Sequence, residues 1–92
     1  MAGGLRWADR LEEAGVYVST VRDLSHPALA VCETAVFPLG PDGRPDWGSP
    51  LRIDRHPPDL PAEALRRRHE AAVAAWREGG GEPGVGGGAV GR

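Results

Sequence analysis

The sequence predicts a small α+β protein in which two helices flank a three-stranded antiparallel sheet. Three observations support this prediction: an apolar stripe of helical period late in the chain, β-branched or alternating segments in its middle, and dense turn sequences between them. The chain has 92 residues, of which 14 are Gly and 9 are Pro, a length that suits one small domain. We therefore predict a single domain over residues 1–78 and a disordered, glycine-rich tail over 79–92.

The first apolar stripe predicts a helix over residues 5–14. Its positions are spaced by three: Leu5, Ala8 and Leu11. Trp7 lies close to the same stripe, which predicts a core position for this side chain. Gly15 stands where a helix C-cap is expected. The charged residues of the segment fall mostly on the opposite side.

Residues 16–22 predict the first strand, because this segment is rich in Val and contains Tyr17. Residues 28–39 fit either a strand or a helix. We favour the strand, because the segment runs into a turn region over 40–50 that contains the hairpin-type dipeptide Asp42-Gly43. Residues 51–55 then alternate apolar and charged side chains, as a half-exposed antiparallel strand does.

The clearest element is a helix over residues 62–78. Asp59 can cap it and Pro61 suits its first turn. Its apolar stripe has the spacing i, i+4, i+7, i+8, i+11: Leu65, His69, Ala72, Val73 and Trp76. The glycines from Gly79 onward end it.

Composition and charge narrow the classes of function. The 11 basic residues are all Arg and the net charge is −2, which excludes a strongly basic binding surface over the whole chain. The exclusive use of Arg is most simply a coding bias. The sequence contains no apolar run of the ~18 residues that a transmembrane helix needs, and a single Cys, Cys32, forms no internal disulfide. We expect a cytoplasmic protein without a cofactor and without a membrane partner.

Two histidines and the cysteine form one candidate catalytic set. His26 and His56 each precede a proline at the end of a predicted strand, which brings both to one rim, and Cys32 lies between them in the sequence. The alternative is that the histidines are exposed loop residues and that Cys32 is a small buried side chain. Because the metal-ligand spacings C-x-x-C and H-x-x-x-H are lacking, we predict no metal site.

The arginines offer candidate binding residues. Arg66 and Arg67 make one face of the last helix basic, which is one way to bind phosphates, although neighbouring glutamates predict a solvated, self-paired face. Arg55 begins an R-x-x-P-x-x-P pattern that ends at Pro61. Such a pattern binds aromatic grooves as a polyproline II helix, or it serves as a rigid connector into a helix, which we favour.

Trp47 is the candidate contact residue of the long turn. It lies between Asp46 and Gly48, where burial is hard to arrange, so it either anchors a contact with another molecule or folds back over a small core. Leu, Val, Ile and Phe together number 18 of 92 residues, a marginal supply for a core. A second chain would relieve that shortage.

These observations favour a non-enzymatic accessory protein that binds another protein or itself. Two rival functions remain in view. The first is a nucleic-acid-associated protein that uses the Arg-rich face of the last helix, although we expect no nucleic-acid partner. The second is a small enzyme, or an enzyme subunit, with His26, His56 and Cys32 at one rim.

Overall fold

The computed structural model describes residues 4–25, 28 and 30–79, and in these residues four strands precede one helix. The elements are β1 (Gly4–Leu11), β2 (Val16–Asp23), β3 (Val31–Pro38), β4 (Arg52–Arg55) and α1 (Ala62–Gly79). The strands form one antiparallel sheet in the order β1-β2-β3-β4. The predicted α+β class is confirmed. The predicted arrangement of three strands between two helices is wrong, because the first element is a strand.

The predicted helix over residues 5–14 is β1 followed by a single 3-10 turn, Glu12–Ala14. Leu5 and Leu11 are six residues apart, a separation that fits both a period of two and a spacing of three. Ala8, three residues from each leucine, shares their face in a helix but not in a strand. It is the one position that separates the two assignments, and its small side chain carries little information about burial. Gly15 does adopt the left-handed conformation expected of a C-cap, with φ of 71°, but it ends the 3-10 turn.

The two faces of the sheet follow from the alternation of side chains along its strands. Val18 of β2 and Val36 of β3 are register partners, are buried, and pack under α1. Tyr17 and Phe37 are also register partners, and they lie on the opposite side. We call this opposite side the open face. Its strand positions are Gly4, Arg6, Ala8, Arg10, Tyr17, Ser19, Val21, Asp23, Val31, Glu33, Ala35, Phe37, Ile53 and Arg55.

The core lies between the sheet and α1. The core cluster consists of Leu11, Val16, Val18, Val36, Ala72, Val73 and Trp76. All five positions of the predicted apolar stripe of α1 are buried, which confirms that helix and its inward face. The contacts of α1 concentrate on β1 and β2 and are fewer on β3, so the helix leaves the β4 side of the sheet less covered.

The predicted strands are confirmed with small shifts in their ends, and residues 31–38 are a strand rather than a helix. The predicted tail after Gly79, like His26, lies outside the described residues. Within the described part of the chain, no helix is both long and apolar enough to cross a membrane.

Candidate functional site

A chain of hydrogen bonds between side chains runs through the interior between the sheet and α1, from β1 to the end of β4. Asp9 of β1 contacts His69 of α1, with 2.7 Å between Oδ2 and Nε2. His69 Nδ1 lies 2.7 Å from Thr20 Oγ1, and Thr20 Oγ1 lies 2.7 Å from Thr34 Oγ1. Two further contacts, described next, extend this chain of hydrogen bonds. We call the six residues that it joins the polar chain: Asp9, His69, Thr20, Thr34, His56 and Arg68.

The far end of the polar chain reaches the surface beside β4. Thr34 Oγ1 lies 2.8 Å from His56 Nε2, and His56 Nδ1 lies 3.3 Å from an Arg68 guanidinium nitrogen. His56 directly follows β4 and is held there by its backbone amide, which donates to the Cys32 carbonyl oxygen at 2.8 Å. The polar chain therefore connects the exposed Asp9 with the rim between β4 and α1.

The chemistry of the two ends fixes the direction of the polar chain. An ionised carboxylate only accepts hydrogen bonds, and a guanidinium only donates them. Arg68 therefore donates to His56 Nδ1, and His56 Nε2–H donates to Thr34. The Thr34 hydroxyl therefore donates to Thr20, and the Thr20 hydroxyl donates to His69 Nδ1, while His69 Nε2–H donates to Asp9. In this orientation each threonine hydroxyl donates once and accepts once.

This orientation assigns a tautomer to His56. Its imidazole donates through Nε2 and accepts through Nδ1, which is the neutral Nε2–H tautomer. For His56 the surroundings favour the same state: burial lowers the pKa of this imidazole, the nearby Arg68 lowers it further, and Asp54 and Glu33 oppose the change. His56 is therefore a neutral hydrogen-bond acceptor toward Arg68 at pH 7.

Asp9, His69 and Thr20 have the order of a carboxylate–histidine–hydroxyl catalytic triad. The hydroxyl cannot serve as a nucleophile in this conformation, because Thr20 is fully buried and its oxygen is also bonded to Thr34. A substrate carbonyl has no path to it. These hydrogen bonds instead attach α1 to β1 and β2.

The candidate catalytic residues are only partly brought together. The Cys32 carbonyl oxygen accepts from the His56 amide, but the Cys32 thiol contacts the residue after His56, with Sγ 3.6 Å from the Pro57 carbonyl oxygen. Burial raises the pKa of the Cys32 thiol, against the smaller opposing effects of Arg22 and Arg68. The thiol is therefore protonated at pH 7, which is the poorly nucleophilic form. His26 lies outside the described residues.

The candidate arginines of α1 pair with acidic neighbours. Arg67 contacts Glu63 at 2.9 Å, and Arg66 contacts Glu70 at 3.7 Å. These are the self-paired contacts that the sequence predicts. Arg55 is 85% exposed in its side chain and contacts Glu33 of β3 at 3.9 Å.

Residues 56–61 connect β4 to α1, and Arg22 of β2 holds this connector in place. Its guanidinium donates to the carbonyl oxygens of Leu60 and Pro58. The prolines of the R-x-x-P-x-x-P pattern thus lie in a connector that is tied to the sheet.

Trp47 folds back against the open face and is still 56% exposed. Its ring packs edge-on against Tyr17 and Phe37, with centroid distances of 5.4 and 4.9 Å. The loop that carries Trp47 is fixed by backbone hydrogen bonds, among them Asp46 N to Pro38 O at 2.8 Å. Trp47 is therefore presented on a structured loop.

The exposed apolar surface continues from Trp47 along β4. Leu51 and Ile53 are 49% and 45% exposed. Ile53 belongs to the open face, and Leu51 precedes it by two residues and so follows the same alternation. We call Tyr17, Phe37, Trp47, Leu51 and Ile53 the apolar patch.

Sequence reasoning missed the polar chain, although its members carried a signal. Thr20 and Thr34 occupy inward positions of two strands, and His69 occupies an inward position of a helix stripe. Polar side chains at three core positions need partners, since a buried polar group is nearly always hydrogen-bonded. Which residues supply those partners is decided by the sheet register and the placement of α1.

Comparison of the chain with protein-family models, with curated proteins and with solved structures finds no match.

Proposed function

We propose that this chain is a non-enzymatic interaction protein that self-associates through its apolar patch. The observation that carries the proposal is the exposed Trp47, held over Tyr17 and Phe37 by a structured loop and continued by Leu51 and Ile53. A large aromatic side chain that is fixed before binding loses little conformational freedom on contact, which is typical of an interface anchor.

The charges around the apolar patch favour a second copy of this chain as the partner. Asp46 precedes Trp47 and is bonded through its backbone to Pro38 at one end of β3. Arg55 contacts Glu33 near the other end of β3. A two-fold axis through the middle of the patch would place Asp46 of each copy opposite Arg55 of the other, so the patch is complementary to itself.

The size of the core also supports self-association. Trp76 is the single aromatic residue of the core cluster, whose other members are aliphatic. A domain of this size buries only about 60% of its unfolded surface. Covering five more apolar side chains on the open face would add to the buried area at no cost to the existing core.

Sedimentation velocity at micromolar concentrations tests the proposal. We expect a concentration-dependent dimer whose dissociation constant rises roughly thirtyfold in Trp47→Ala, since an anchor contributes about 2 kcal/mol. Leu24→Ala is the matched control, because Leu24 is an exposed apolar residue at 39% that lies outside the patch. This control should dimerise like the parent protein.

A charge exchange tests the geometry. Asp46→Arg and Arg55→Asp should each fail to dimerise alone, because each places like charges together. An equimolar mixture of the two variants should form a heterodimer, and the double variant should regain the homodimer. A parent protein that is monomeric at 100 μM would overturn the proposal, as would an undiminished dimer in Trp47→Ala.

A further inference from the structure

The cavity at the outer end of the polar chain lies between β4 and α1 and has a volume of about 350 Å³. Arg52, Asp54 and His56 line it on the sheet side, and Arg68 and Ala71 line it on the helix side. Most of this cavity is on the α1 side of the sheet, and none of the five residues of the apolar patch lines it, although Arg55, an open-face position of β4, borders it.

The cavity has an excess of positive charge. Arg52 and Asp54 neutralise each other, with 2.8 Å between Nε and Oδ2. Arg55, also in the lining, has Glu33 nearby at 3.9 Å. For Arg68, the structure gives one polar contact within the described residues, the 3.3 Å contact with His56. That partner is neutral, and no carboxylate of the described residues forms an ion pair with Arg68.

The polar chain explains why Arg68 meets a neutral acceptor. His56 is held in its tautomer by Thr34, and Thr34 is oriented through Thr20 and His69. The imidazole therefore turns its Nδ1 lone pair toward Arg68 and engages one of the five guanidinium N–H groups. The others remain for a ligand, and a planar fork of N–H donors matches the oxygens of a phosphate or carboxylate group.

We propose that this cavity binds the oxyanion group of a small molecule, a phosphate or a carboxylate, through the Arg68 guanidinium. The volume suits a compact metabolite rather than a polymer. On the helix side the cavity is lined by the small side chains of Ala71 and Ala72, which leave room for the ligand between Arg68 and the sheet. His56 becomes a second donor when it is protonated, because an anion beside the imidazole favours its charged form.

NMR titration of the protein with sodium sulfate and with sodium acetate tests the proposal, with sodium chloride added to hold the ionic strength constant. Sulfate represents the tetrahedral oxyanion and stays fully ionised between pH 5 and 8, and acetate represents the planar one. We expect saturable shifts at the amides of Thr34, His56 and Ala71 with at least one of the two probes. The pKa of His56, followed through its ring protons, should rise when the probe is bound.

Three variants locate the binding. Arg68→Gln should weaken the affinity at least tenfold, whereas Arg67→Gln should leave it unchanged. The second variant removes the same charge one residue away, from a side chain that is paired with Glu63. Ala71→Glu, a substitution at an exposed position of α1, should also abolish binding by placing a carboxylate in the cavity. Ala74→Glu, at an exposed position outside the cavity lining, is its control.

Equal losses in Arg68→Gln and Arg67→Gln would overturn the proposal, since they would show a response to net charge only. Shifts that do not saturate with either probe would overturn it as well. If Arg68→Gln is not folded, the comparison of Ala71→Glu with Ala74→Glu decides the outcome. Dimerisation is measured separately, so the failure of either proposal leaves the other intact.

Discussion

At the scale of single residues, the interior combines aliphatic packing with a continuous line of polar groups. Thr20, Thr34 and His69 are each at most 2% exposed, yet each has two side-chain hydrogen bonds. Such a line is favourable only when every member is satisfied, because an unpaired polar group in a dry interior costs about 1–3 kcal/mol. Removal of one inner member should therefore cost more than its own hydrogen bonds suggest.

We expect Thr20→Val to lower the free energy of unfolding by about 2–4 kcal/mol, because it leaves His69 Nδ1 without a donor and the Thr34 O–H without an acceptor. Valine has nearly the same shape as threonine, so the packing of the strand is kept. Thr20→Ser is the control: it keeps the hydroxyl and should lose about 1 kcal/mol, the value of one buried methyl group. Urea unfolding followed by circular dichroism measures both, and equal stability of the two variants would contradict the role of the hydroxyl.

The lowered pKa of His56 predicts a stability that depends on pH. The folded protein favours the neutral imidazole, so below the ordinary pKa of 6.5 the unfolded chain binds a proton that the folded chain does not. This contribution is complete above pH 6.5, falls as the pH drops below 6.5, and levels off below the folded-state pKa of His56.

The substitution His56→Gln isolates this effect. Glutamine keeps a side-chain N–H that can donate to Thr34 but does not titrate. We expect the difference in thermal midpoint between the parent protein and this variant to change between pH 7.5 and 5.5, with the parent losing more stability toward acid. Parallel curves over this range would contradict a lowered pKa for His56.

At the scale of elements, α1 is attached to the sheet by its apolar stripe and by His69. The stripe ends at Trp76, which packs in the core cluster with Leu11 and Val16. Its indole Nε1–H is buried and has no hydrogen-bond partner among the described residues. Trp76 therefore stabilises the protein through packing, and its polar atom detracts from that contribution.

We expect Trp76→Ala to cost about 3–5 kcal/mol, a large share of the roughly 5–15 kcal/mol that stabilises a typical domain. Trp76→Phe should cost less than half of that, because it retains an aromatic ring and removes an unpaired donor. Arg67→Ala, on the outer side of α1, should cost less than about 0.5 kcal/mol. Guanidinium denaturation ranks the three variants. A cost for Arg67→Ala similar to that of Trp76→Ala would mean that the faces of α1 are reversed.

At the scale of the whole molecule, one layer of helix covers one face of the sheet, and the other face carries the apolar patch. Dimerisation through this patch would link folding to association. We expect the thermal midpoint to rise with protein concentration, since a dimer that forms only from folded chains is favoured by mass action. The shift should be several degrees between 1 and 100 μM, because about 1 kcal/mol moves the midpoint of such a domain by roughly 4–8 °C. Trp47→Ala should show no such dependence.

The sequence by itself determined those elements whose pattern allows a single period. The stripe from Leu65 to Trp76 contains both i+3 and i+4 steps, which no strand reproduces, so α1 and its buried face followed directly. Residues 16–22 were too short and too rich in Val for another assignment. The first element was assigned wrongly because Leu5 and Leu11 satisfy two periods at once.

Only the tertiary structure decided that residues 4–11 are a strand. Pairing with β2 places Leu5 and Leu11 on the side of the sheet that faces α1 and supplies hydrogen bonds that a lone segment lacks. The tertiary structure likewise decided the site. Asp9 and His69 are 60 residues apart in the sequence, and Thr20 and Thr34 meet only because the strand register places them side by side. Local patterns describe how one segment presents its side chains, whereas a polar chain depends on which segments become neighbours.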